Sequence, residues 1–320
     1  PAQVNGLATL WLVYGCMGGL GTGIVYIGVV GRMVKWFPQQ RGFAAGSVAA
    51  GYGMGAIITT FPISLSLTTN GLEHTMTTFG ILFALVGFLA SQGLKLPPPA
   101  VSQPVSQTVA QSSRSFTSRE MLRQPLFWLM FVMMAMMSTS GLMVTSQMAV
   151  FAEDFGISQA VVFGMAALPL ALTIDRFTNG LTRPLFGFIS DRFGREQTMF
   201  IAFALEGVAM MLWLACREDP LLFVLLSGVV FFGWGEIFSL FPSTLTDTFG
   251  SEHAASNYGW LYISQGIGSI FGGPLAALLY QHTHGWHVVF SCAIGLDFVT
   301  AALALWVLKP WRARFIRQHS

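Results

Sequence analysis

The chain has 320 residues, a formal net charge of +2, 53% hydrophobic residues and only 9% charged residues. Soluble globular domains carry about 25% charged residues, so this chain has too few to cover a water-exposed surface. The composition therefore excludes most soluble protein classes and indicates a membrane protein. The three cysteines stand apart in apolar runs without disulfide or metal-ligand spacing, so we expect core thiols.

Nine apolar segments are each long enough to cross a bilayer, which takes about 20 helical residues. We predict transmembrane helices near residues 7–31, 42–67, 75–94, 126–150, 161–188, 197–216, 221–242, 258–280 and 287–308. Residues 95–125 are polar and rich in proline, which is typical of a flexible linker. The predicted fold class is an all-α membrane protein with three helices, a linker and six further helices.

Most basic residues lie on one side of this predicted topology, and the loops of the opposite side hold only Arg217. The thirteen residues of the basic side are Arg32, Lys35, Arg41, Lys95, Arg114, Arg119, Arg123, Arg192, Arg195, Lys309, Arg312, Arg314 and Arg317. Lysine and arginine accumulate in cytoplasmic loops. We therefore predict a multi-pass protein of the cytoplasmic (inner) membrane with a cytoplasmic C-terminus and an N-terminus that faces outward.

A pattern recurs at two places in the chain. Trp36-Phe37-Pro38 and Phe241-Pro242 each precede a cytoplasmic loop and a glycine-rich helix, at residues 42–55 and 259–273. This indicates two parallel six-helix repeats. We therefore expect nine helices of a twelve-helix protein, with three helices missing before residue 1. The predicted parts are 1–94 (end of the first half), 95–125 (cytoplasmic linker), 126–309 (second half) and 310–320 (cytoplasmic tail).

Arg183 lies inside an apolar predicted helix, eight residues before Asp191. An arginine at a bilayer centre costs about 2.5–3.5 kcal/mol on insertion scales, so it is rarely placed there without a partner or a substrate. The chemistry of the arginine side chain alone supports two interpretations equally. The planar guanidinium either binds a carboxylate, or its long side chain reaches the cytoplasmic interface.

Further charges lie inside the predicted helices. Arg176 is two helical turns from Arg183 on a similar face. It is either a second substrate cation or part of a structural pair with a buried acid, and the pair is favoured because intramembrane charges usually pair. A buried carboxylate can also carry a proton, which makes a group of acids candidates for proton coupling. These are Glu206, Glu236 and Asp175, with Asp297 as a further intramembrane acid, and Glu236 can equally pair with Arg176.

The fifth predicted helix ends in a charged hairpin built from Asp191, Arg192, Gly194 and Arg195. We interpret it as a gating motif: a tight turn through Gly194 that clamps helix ends, with Asp191 paired to a neighbouring helix and no contact with substrate. Three histidines, His282, His284 and His287, cluster near the external end of the eighth predicted helix. No cysteine or acid completes a zinc site there, so we expect surface imidazoles, no metal and no cofactor.

Residues 187–195, Gly-Phe-Ile-Ser-Asp-Arg-Phe-Gly-Arg, resemble the loop motif of the major facilitator superfamily. More narrowly, the chain resembles the oxalate/formate antiporter family along nearly its whole length. The motifs are Lys35-Trp36-Phe37-Pro38 with Arg41-Gly42, Ala49-Ala50-Gly51-Tyr52-Gly53, Glu120-Met121-Leu122-Arg123 with Pro125, Asn179-Gly180 with Arg183-Pro184, Phe241-Pro242-Ser243, Asn257-Tyr258-Gly259 and Ser269-Ile270-Phe271-Gly272-Gly273.

The resemblance implies an anion site near the midplane between the two halves. There Arg183 matches an arginine that binds a carboxylate, while Tyr26, Tyr52 and Trp234 match aromatic walls. Two positions depart from the oxalate-transporting members: Gln265 replaces a lysine and Tyr262 replaces a tryptophan. Loss of the lysine removes one of two counter-charges for a dianion. Formate, lactate or pyruvate is therefore at least as plausible a substrate as oxalate.

These observations predict a secondary active transporter that exchanges small carboxylates by alternating access. The alternatives are proton-coupled monocarboxylate symport and, from another class, a non-transporting membrane sensor or degenerate fragment. We do not expect an enzyme, because the sequence lacks a Ser/His/Asp arrangement, an HExxH motif and a nucleotide loop. The expected partners are a small organic anion and the lipid bilayer, not nucleic acid, and we expect a monomer.

Overall fold

The computed structural model describes residues 6–97 and 109–319, which are almost entirely helical. Before the linker lie α1 (Leu7–Trp36, π-helical over Trp11–Gly18) and α2 (Arg41–Ser91). After it lie α3 (Ser118–Met121), α4 (Pro125–Thr145), α5 (Met148–Asp154), α6 (Ala167–Phe193), α7 (Arg195–Ala215), α8 (Pro220–Trp234), α9 (Ile237–Phe249), α10 (Ala254–Thr283), α11 (Trp286–Leu303) and α12 (Lys309–Gln318). A π-helical segment, Ala304–Leu308, joins the last two.

Within the described ranges, seven helical stretches are long and apolar enough to cross a membrane. They are Leu7–Trp36, Arg41–Ser91, Pro125–Thr145, Arg195–Ala215, Pro220–Phe249, Ala254–Thr283 and Trp286–Gln318. Large apolar side chains such as Ile58 and Phe61 stay exposed on them, which suits contact with lipid. The all-helical membrane fold is thereby confirmed, while the number of nine crossings stays a prediction.

Helix α2 covers the second and third predicted helices. Its 51 residues would extend about 75 Å if straight, far more than the roughly 30 Å of a bilayer core. The chain instead bends at Gly71, whose φ of 79° and ψ of 175° are not helical. Such a backbone conformation favours glycine, which explains why the bend occurs at this residue.

For the fifth predicted helix, 161–188, the predicted start at residue 161 is wrong. Residues Val161–Val162 (β1) and Met165–Ala166 (β2) form a two-stranded antiparallel hairpin, and helix α6 begins only at Ala167. Gly164, at φ 79°, makes the turn. At the other end α6 continues to Phe193, beyond the predicted boundary. With five charged residues (Asp175, Arg176, Arg183, Asp191 and Arg192), α6 is not among the seven apolar helices.

The predicted tail is also mostly helical, because α12 extends to Gln318. Its Arg312 donates from Nη1 to Glu196 at 2.6 Å and from Nε to Thr248 at 2.8 Å. These contacts fix the last helix against α7 and α9. Arg312 lies at the same end of the bundle as Arg41 and Arg195, and we call this end the basic end.

Glycines allow the helices before and after the linker to touch at the basic end. A Cβ atom on Gly46 of α2 would collide with the carbonyl of Arg183, and one on Gly187 of α6 would collide with the carbonyl of Gly42. On α1, a Cβ atom on Gly31 would lie 2.5 Å from the Cβ of Ala255. Small residues give this close backbone contact in membranes, where packing replaces the hydrophobic driving force. In contrast, Cβ atoms on Gly15, Gly19, Gly21 and Gly23 of α1 would meet no described neighbour within 4 Å.

Aromatic side chains pack together at the end of the bundle opposite the basic end. The Phe151 ring lies 5.1 Å from Trp213 and 5.4 Å from both Trp286 and Phe290, measured between ring centroids. Edge-on ring contacts of this kind add about 0.5–1.5 kcal/mol each beyond buried area. They tie α5, α7 and α11 together, so the helices after the linker form a packed unit that supports the site described next.

Candidate functional site

Arg183 is buried in the middle of the bundle, with 7% of its surface exposed. Its guanidinium donates to the Ala49 carbonyl of α2 and to Oδ1 of Asn179, both at 2.7 Å. The guanidinium carbon also lies 4.5 Å from the ring centroid of Phe238, a cation–π contact. Since two of its five N–H groups are used and Nε has no partner within the described part of the chain, Arg183 retains donors for an anion.

The approach of Arg183 to α2 depends on Gly53. A Cβ atom at this position would lie 3.1 Å from Nη1 of Arg183, which is tighter than an ordinary contact. Asn179, four residues before Arg183 on α6, is one helical turn away, so its amide oxygen reaches the guanidinium. The sequence identified Asn179 within a motif but not as a partner of Arg183.

Four tyrosines, Tyr26, Tyr52, Tyr258 and Tyr262, form what we call the tyrosine cluster. The Tyr26 ring lies 5.2 Å from Tyr52, 5.4 Å from Tyr262 and 6.3 Å from Tyr258. The cluster therefore joins α1 and α2 to α10. Phe238, 6.3 Å from Tyr262, connects it to Arg183. The sequence analysis did not assign either Tyr258 or Phe238 to the site: it named Tyr258 only within a motif, and Phe238 looks like an ordinary core aromatic in sequence.

A cavity of about 250 Å³ lies beside Arg183. It is lined by Gly53, Thr145, Leu172, Asp175, Arg176, Asn179, Arg183, Phe231 and Trp234. A second cavity of about 240 Å³ shares Leu172 and Arg176 with it and extends past Thr60 and Thr173. Arg176 lies seven residues from Arg183 towards the opposite end of the bundle. The two cavities thus lead from Arg183 away from the basic end.

Trp234 walls the cavity and is held by helix α4. Its indole Nε1 donates to the Met137 carbonyl at 3.3 Å, and its ring packs 6.0 Å from Phe238. Gly141 makes room for the indole, since a Cβ atom there would overlap the ring. The absence of a side chain at Gly141 therefore sets the position of Trp234.

Replacing Gly141 by alanine is expected to lower the thermal unfolding midpoint and weaken anion binding, because the added methyl group displaces Trp234. Overpacking of this kind costs about 1–3 kcal/mol. Gly295→Ala on α11 is the matched control: a Cβ atom there meets nothing within 4 Å, and alanine favours a helix. Equal unfolding midpoints for the two variants would contradict this placement of Trp234.

Gln265 lies apart from the cavity beside Arg183. Its Oε1 accepts a short hydrogen bond from the hydroxyl of Ser138 on α4. One turn of α10 separates it from Tyr262, so it borders the tyrosine cluster. The predicted aromatic and polar site residues thus lie in two adjoining groups on either side of Arg183, one around Trp234 and one around Tyr26.

The structural pair that the sequence favoured for Arg176 is not found. No ion pair formed among the described residues, 6–97 and 109–319, includes Arg176. The Arg176 side chain is exposed. Asp175 is buried beside Ser227, whose hydroxyl donates to the Val224 carbonyl, and its carboxylate makes no hydrogen bond of ordinary geometry in the described part of the chain. Glu206 and Glu236 are likewise buried and unpartnered. The physical reason is geometric: Asp175 and Arg176 line the same cavity, but adjacent residues of a helix do not face each other, and Glu206 and Glu236 are buried on other parts of the bundle.

Four charged residues, Arg41, Asp191, Arg195 and Asp247, form what we call the basic-end network. Asp191 accepts from the backbone N–H groups of Gly42 and Phe43, both at 2.9 Å, at the start of α2. An acid is favoured there by the unsatisfied N–H groups and dipole of a helix N-terminus. Arg195 pairs with Asp191 at 2.7 Å.

Asp247 of α9 is the centre of this network. It pairs with Nη1 of Arg41 at 2.7 Å and with Nε of Arg195 at 2.8 Å, and its own side chain is fully buried. The basic-end network therefore joins α2 to α6, α7 and α9. Sequence reasoning missed Asp247, because nothing in its local sequence distinguishes it from a helix-end acid.

Of the remaining residues of the predicted gating motif, Arg192 lies outside the basic-end network, whereas Gly194 makes the turn that brings two members of the network together. Arg192 is exposed, and its guanidinium lies 4.2 Å from the Phe188 ring centroid, outside the network. Gly194 has φ 99° and makes the sharp turn from α6 to α7. That turn places Arg195 next to Asp191, one helical turn away in sequence.

Among the described residues, no group of three His, Cys, Asp or Glu side chains is arranged to hold a metal ion. His282, His284 and His287 lie at the junction of α10 and α11, where His284 ends the helix in a left-handed conformation with φ 50°. Asp154 is close to this junction and accepts from Tyr280 at 2.6 Å and from Trp286 at 2.7 Å.

Comparison with known proteins agrees with these features. The family model described as Major Facilitator Superfamily matches residues 2–175 and 170–319. The chain is 31% identical over 308 residues to the oxalate:formate antiporter of Oxalobacter formigenes, covering 96% of this chain and 71% of that protein. It is 30% identical over 269 residues to the uncharacterized MFS-type transporter YhjX of Escherichia coli (strain K12), covering 84% and 65% respectively.

A more distant relative is the apicoplast pyruvate carrier 1 of Toxoplasma gondii, 21% identical over 375 residues, with 100% of this chain and 68% of that protein covered. The chain thus spans about two thirds of the length of these relatives.

Proposed function

The chain belongs to the Major Facilitator Superfamily, a family of membrane transporters rather than enzymes, and we propose that it transports small carboxylate anions. In this proposal it exchanges one anion for another by alternating access. The observation that carries the proposal is Arg183: a buried cation with unused N–H donors beside a cavity of about 250 Å³. A planar guanidinium binds carboxylates through paired hydrogen bonds.

The proposal rests on Arg183 as the substrate ligand and on Trp234 and the tyrosine cluster as walls. Arg176 lies in the same cavity and forms no ion pair with any residue that the structure describes, which makes it a second, exposed cation on the entry path. The similarity to an oxalate:formate antiporter supports a carboxylate substrate, and the similarity to a pyruvate carrier agrees with a monocarboxylate.

The conformation of the site supports alternating access. The basic-end network and the glycine contacts seal one end, while the two cavities extend from Arg183 towards the other. The excess of Lys and Arg at the sealed end favours the cytoplasm on that side. We therefore take this conformation as outward-facing in the inner membrane, with the linker and α12 in the cytoplasm.

Exchange is tested with the full-length protein in liposomes loaded with unlabelled formate, lactate, pyruvate or oxalate. Labelled anion is followed inward with and without a proton gradient. Entry that requires an internal anion and no gradient supports exchange. Entry that requires only an inward proton gradient instead favours the second candidate, proton-coupled symport, which the buried acids Glu206 and Glu236 motivate. No entry of any of the four anions would favour a non-transporting sensor.

The charge of the substrate is tested at Gln265. Gln265→Lys is expected to raise the affinity for oxalate relative to formate about tenfold or more, because a second cation next to the tyrosine cluster offers a charge-assisted hydrogen bond worth about 1.5–3 kcal/mol. Gln265→Met, which has a similar length and no charge, is the control. An unchanged oxalate-to-formate ratio in the lysine variant would exclude Gln265 from the substrate-binding region.

A further inference from the structure

Part of the linker lies against the basic end of the bundle. Residues 109–117, which precede α3, form neither helix nor strand, and we call this segment the strap. Val109 and Phe116, near its two ends, are buried, with 4% and 2% of their surface exposed. The Phe116 ring centroid lies 5.7 Å from that of Phe249 on α9 and 5.3 Å from that of Phe315 on α12. Apolar side chains therefore fix the strap to helices after the linker.

The strap caps the end of helix α9. The last four carbonyl groups of a helix have no partner within the helix and need donors from elsewhere. The N–H of Ser112 donates to the Asp247 carbonyl at 2.9 Å. The N–H of Phe116 donates to the carbonyl of Phe249, the last residue of α9, at 2.8 Å. Gly250 follows with φ 84°, and a Cβ atom there would lie 2.5 Å from a backbone atom of the strap. The strap therefore follows the end of α9 too closely for a side chain at this position.

Further hydrogen bonds join the strap to the last helix, α12. Arg312 of α12 donates from Nη2 to the Ala110 carbonyl. Ser113 donates from its hydroxyl to the carbonyl of His319, just after α12, at 2.9 Å. The strap is thereby bound at several points to helices on its own side of the linker, so we expect it to move with them.

Gln111 reaches from the strap to the part of the chain before the linker. Its side-chain Nε2 donates at 3.0 Å to the carbonyl of Pro38, which lies in the loop between α1 and α2. The same loop leads to Arg41, whose guanidinium pairs with the Asp247 carboxylate. Asp247 also accepts from the strap through its backbone carbonyl. Gln111 and the basic-end network therefore hold one loop to the same end of α9 at two points.

We propose that the strap is a latch for the basic end, with Gln111 as the residue that holds this end closed. Helix α2 can separate from the helices after the linker only if the bond from Gln111 to Pro38 breaks along with the basic-end network. The bonds from the strap to α9 and α12 stay intact during this movement, because they lie on one side of the opening. A strap that only capped α9 would stabilise the fold without changing the equilibrium between the closed and open forms.

The latch bond differs in strength from the basic-end network. A neutral hydrogen bond changes an equilibrium by about two- to tenfold, whereas the loss of a buried ion pair changes it more. Gln111 therefore adjusts the population of the open form, and the network decides which form prevails. The latch rests on the proposed function only for its consequence, that the open form releases the anion to the cytoplasm. Closure of the basic end does not depend on which solute is carried.

The rate at which a buried thiol reacts measures the population of the open form. Ser190 on α6 is 0% exposed and is covered by α2, since a Cβ atom on Gly42 would lie 2.7 Å from the Ser190 hydroxyl oxygen. The experiment uses the full-length protein in lipid nanodiscs, with Ser190→Cys as the reporter and the other cysteines replaced by serine. A water-soluble maleimide reaches the thiol when α2 moves away, so the labelling rate scales with the open population.

Gln111→Ala and Gln111→Met both remove the donor to Pro38 and are expected to raise the labelling rate about two- to tenfold. Ser113→Ala is the matched control: it removes a strap hydrogen bond to the end of α12 alone and should leave the rate unchanged. Unchanged rates in both Gln111 variants would overturn the latch. An equal increase in Ser113→Ala would overturn the assignment of the latch to Gln111. Because no anion is added, a failure of the proposed carboxylate transport would not alter either result.

Discussion

Replacing Arg183 by glutamine is expected to weaken carboxylate binding at least about 30-fold and to abolish exchange. Removing one partner of a buried, hydrogen-bonded charge pair costs about 2–5 kcal/mol, and each 1.4 kcal/mol is a factor of ten. Arg183→Lys should be intermediate, since it keeps the charge but loses the planar fork. Equilibrium binding of labelled formate and oxalate to the purified variants measures this effect.

Arg176→Gln is the control for Arg183, because the two arginines line the same cavity. Arg176 is exposed and has no hydrogen bond to the site, so its loss should weaken binding less than that of Arg183. Should Arg176→Gln abolish binding while Arg183→Gln binds normally, Arg176 would be the substrate ligand. The thermal unfolding midpoint of each variant shows whether a loss of binding reflects a loss of fold.

Replacing Asp247 by asparagine is expected to open the basic end. The substitution leaves Arg41 and Arg195, 7% and 1% exposed, without their shared carboxylate. Breaking a buried ion pair in this way costs about 3–5 kcal/mol, comparable with the few kcal/mol that separate two conformations of a protein. Most of the population should therefore shift to a form in which α2 separates from the helices after the linker at the basic end.

Spin labels at Gln92→Cys and Phe193→Cys report this change. Both positions are exposed and lie on opposite sides of the linker in sequence, at the basic end. The native Cys16, Cys216 and Cys292 are first replaced by serine. The label-to-label distance should lengthen in Asp247→Asn and stay unchanged in Arg192→Gln, since Arg192 lies outside the basic-end network. A distance unaffected by loss of Asp247 would show that the network does not hold the end closed.

The membrane fold and the family could be predicted from the sequence because both depend on local features. Apolar length, the bias of Lys and Arg and the motif around Asp191 are each read from a few neighbouring residues. The bend at Gly71 and the hairpin at 161–166 could not be predicted in this way. Val161 and Val162 are apolar like the helix that follows them. The composition of this segment therefore does not distinguish a β-strand from the first residues of a transmembrane helix.

Long-range contacts account for most of what the sequence did not reveal. Asp247 joins Arg41 and Arg195 from a different helix, and no spacing rule connects the three. The pairing expected for Arg176 is not found among the described residues, because the direction of a side chain on α6 depends on how the helix packs. Arg183, in contrast, was identifiable, since a cation in an apolar helix is conspicuous in any sequence.

A structure of the full-length protein with bound formate or oxalate is the most direct test of the central claim, that Arg183 holds the substrate carboxylate. We expect the carboxylate oxygens about 2.7–2.9 Å from the Arg183 guanidinium nitrogens, in the cavity that Trp234 walls. An anion bound at Arg176 or elsewhere, with Arg183 still bonded only to Ala49 and Asn179, would contradict it.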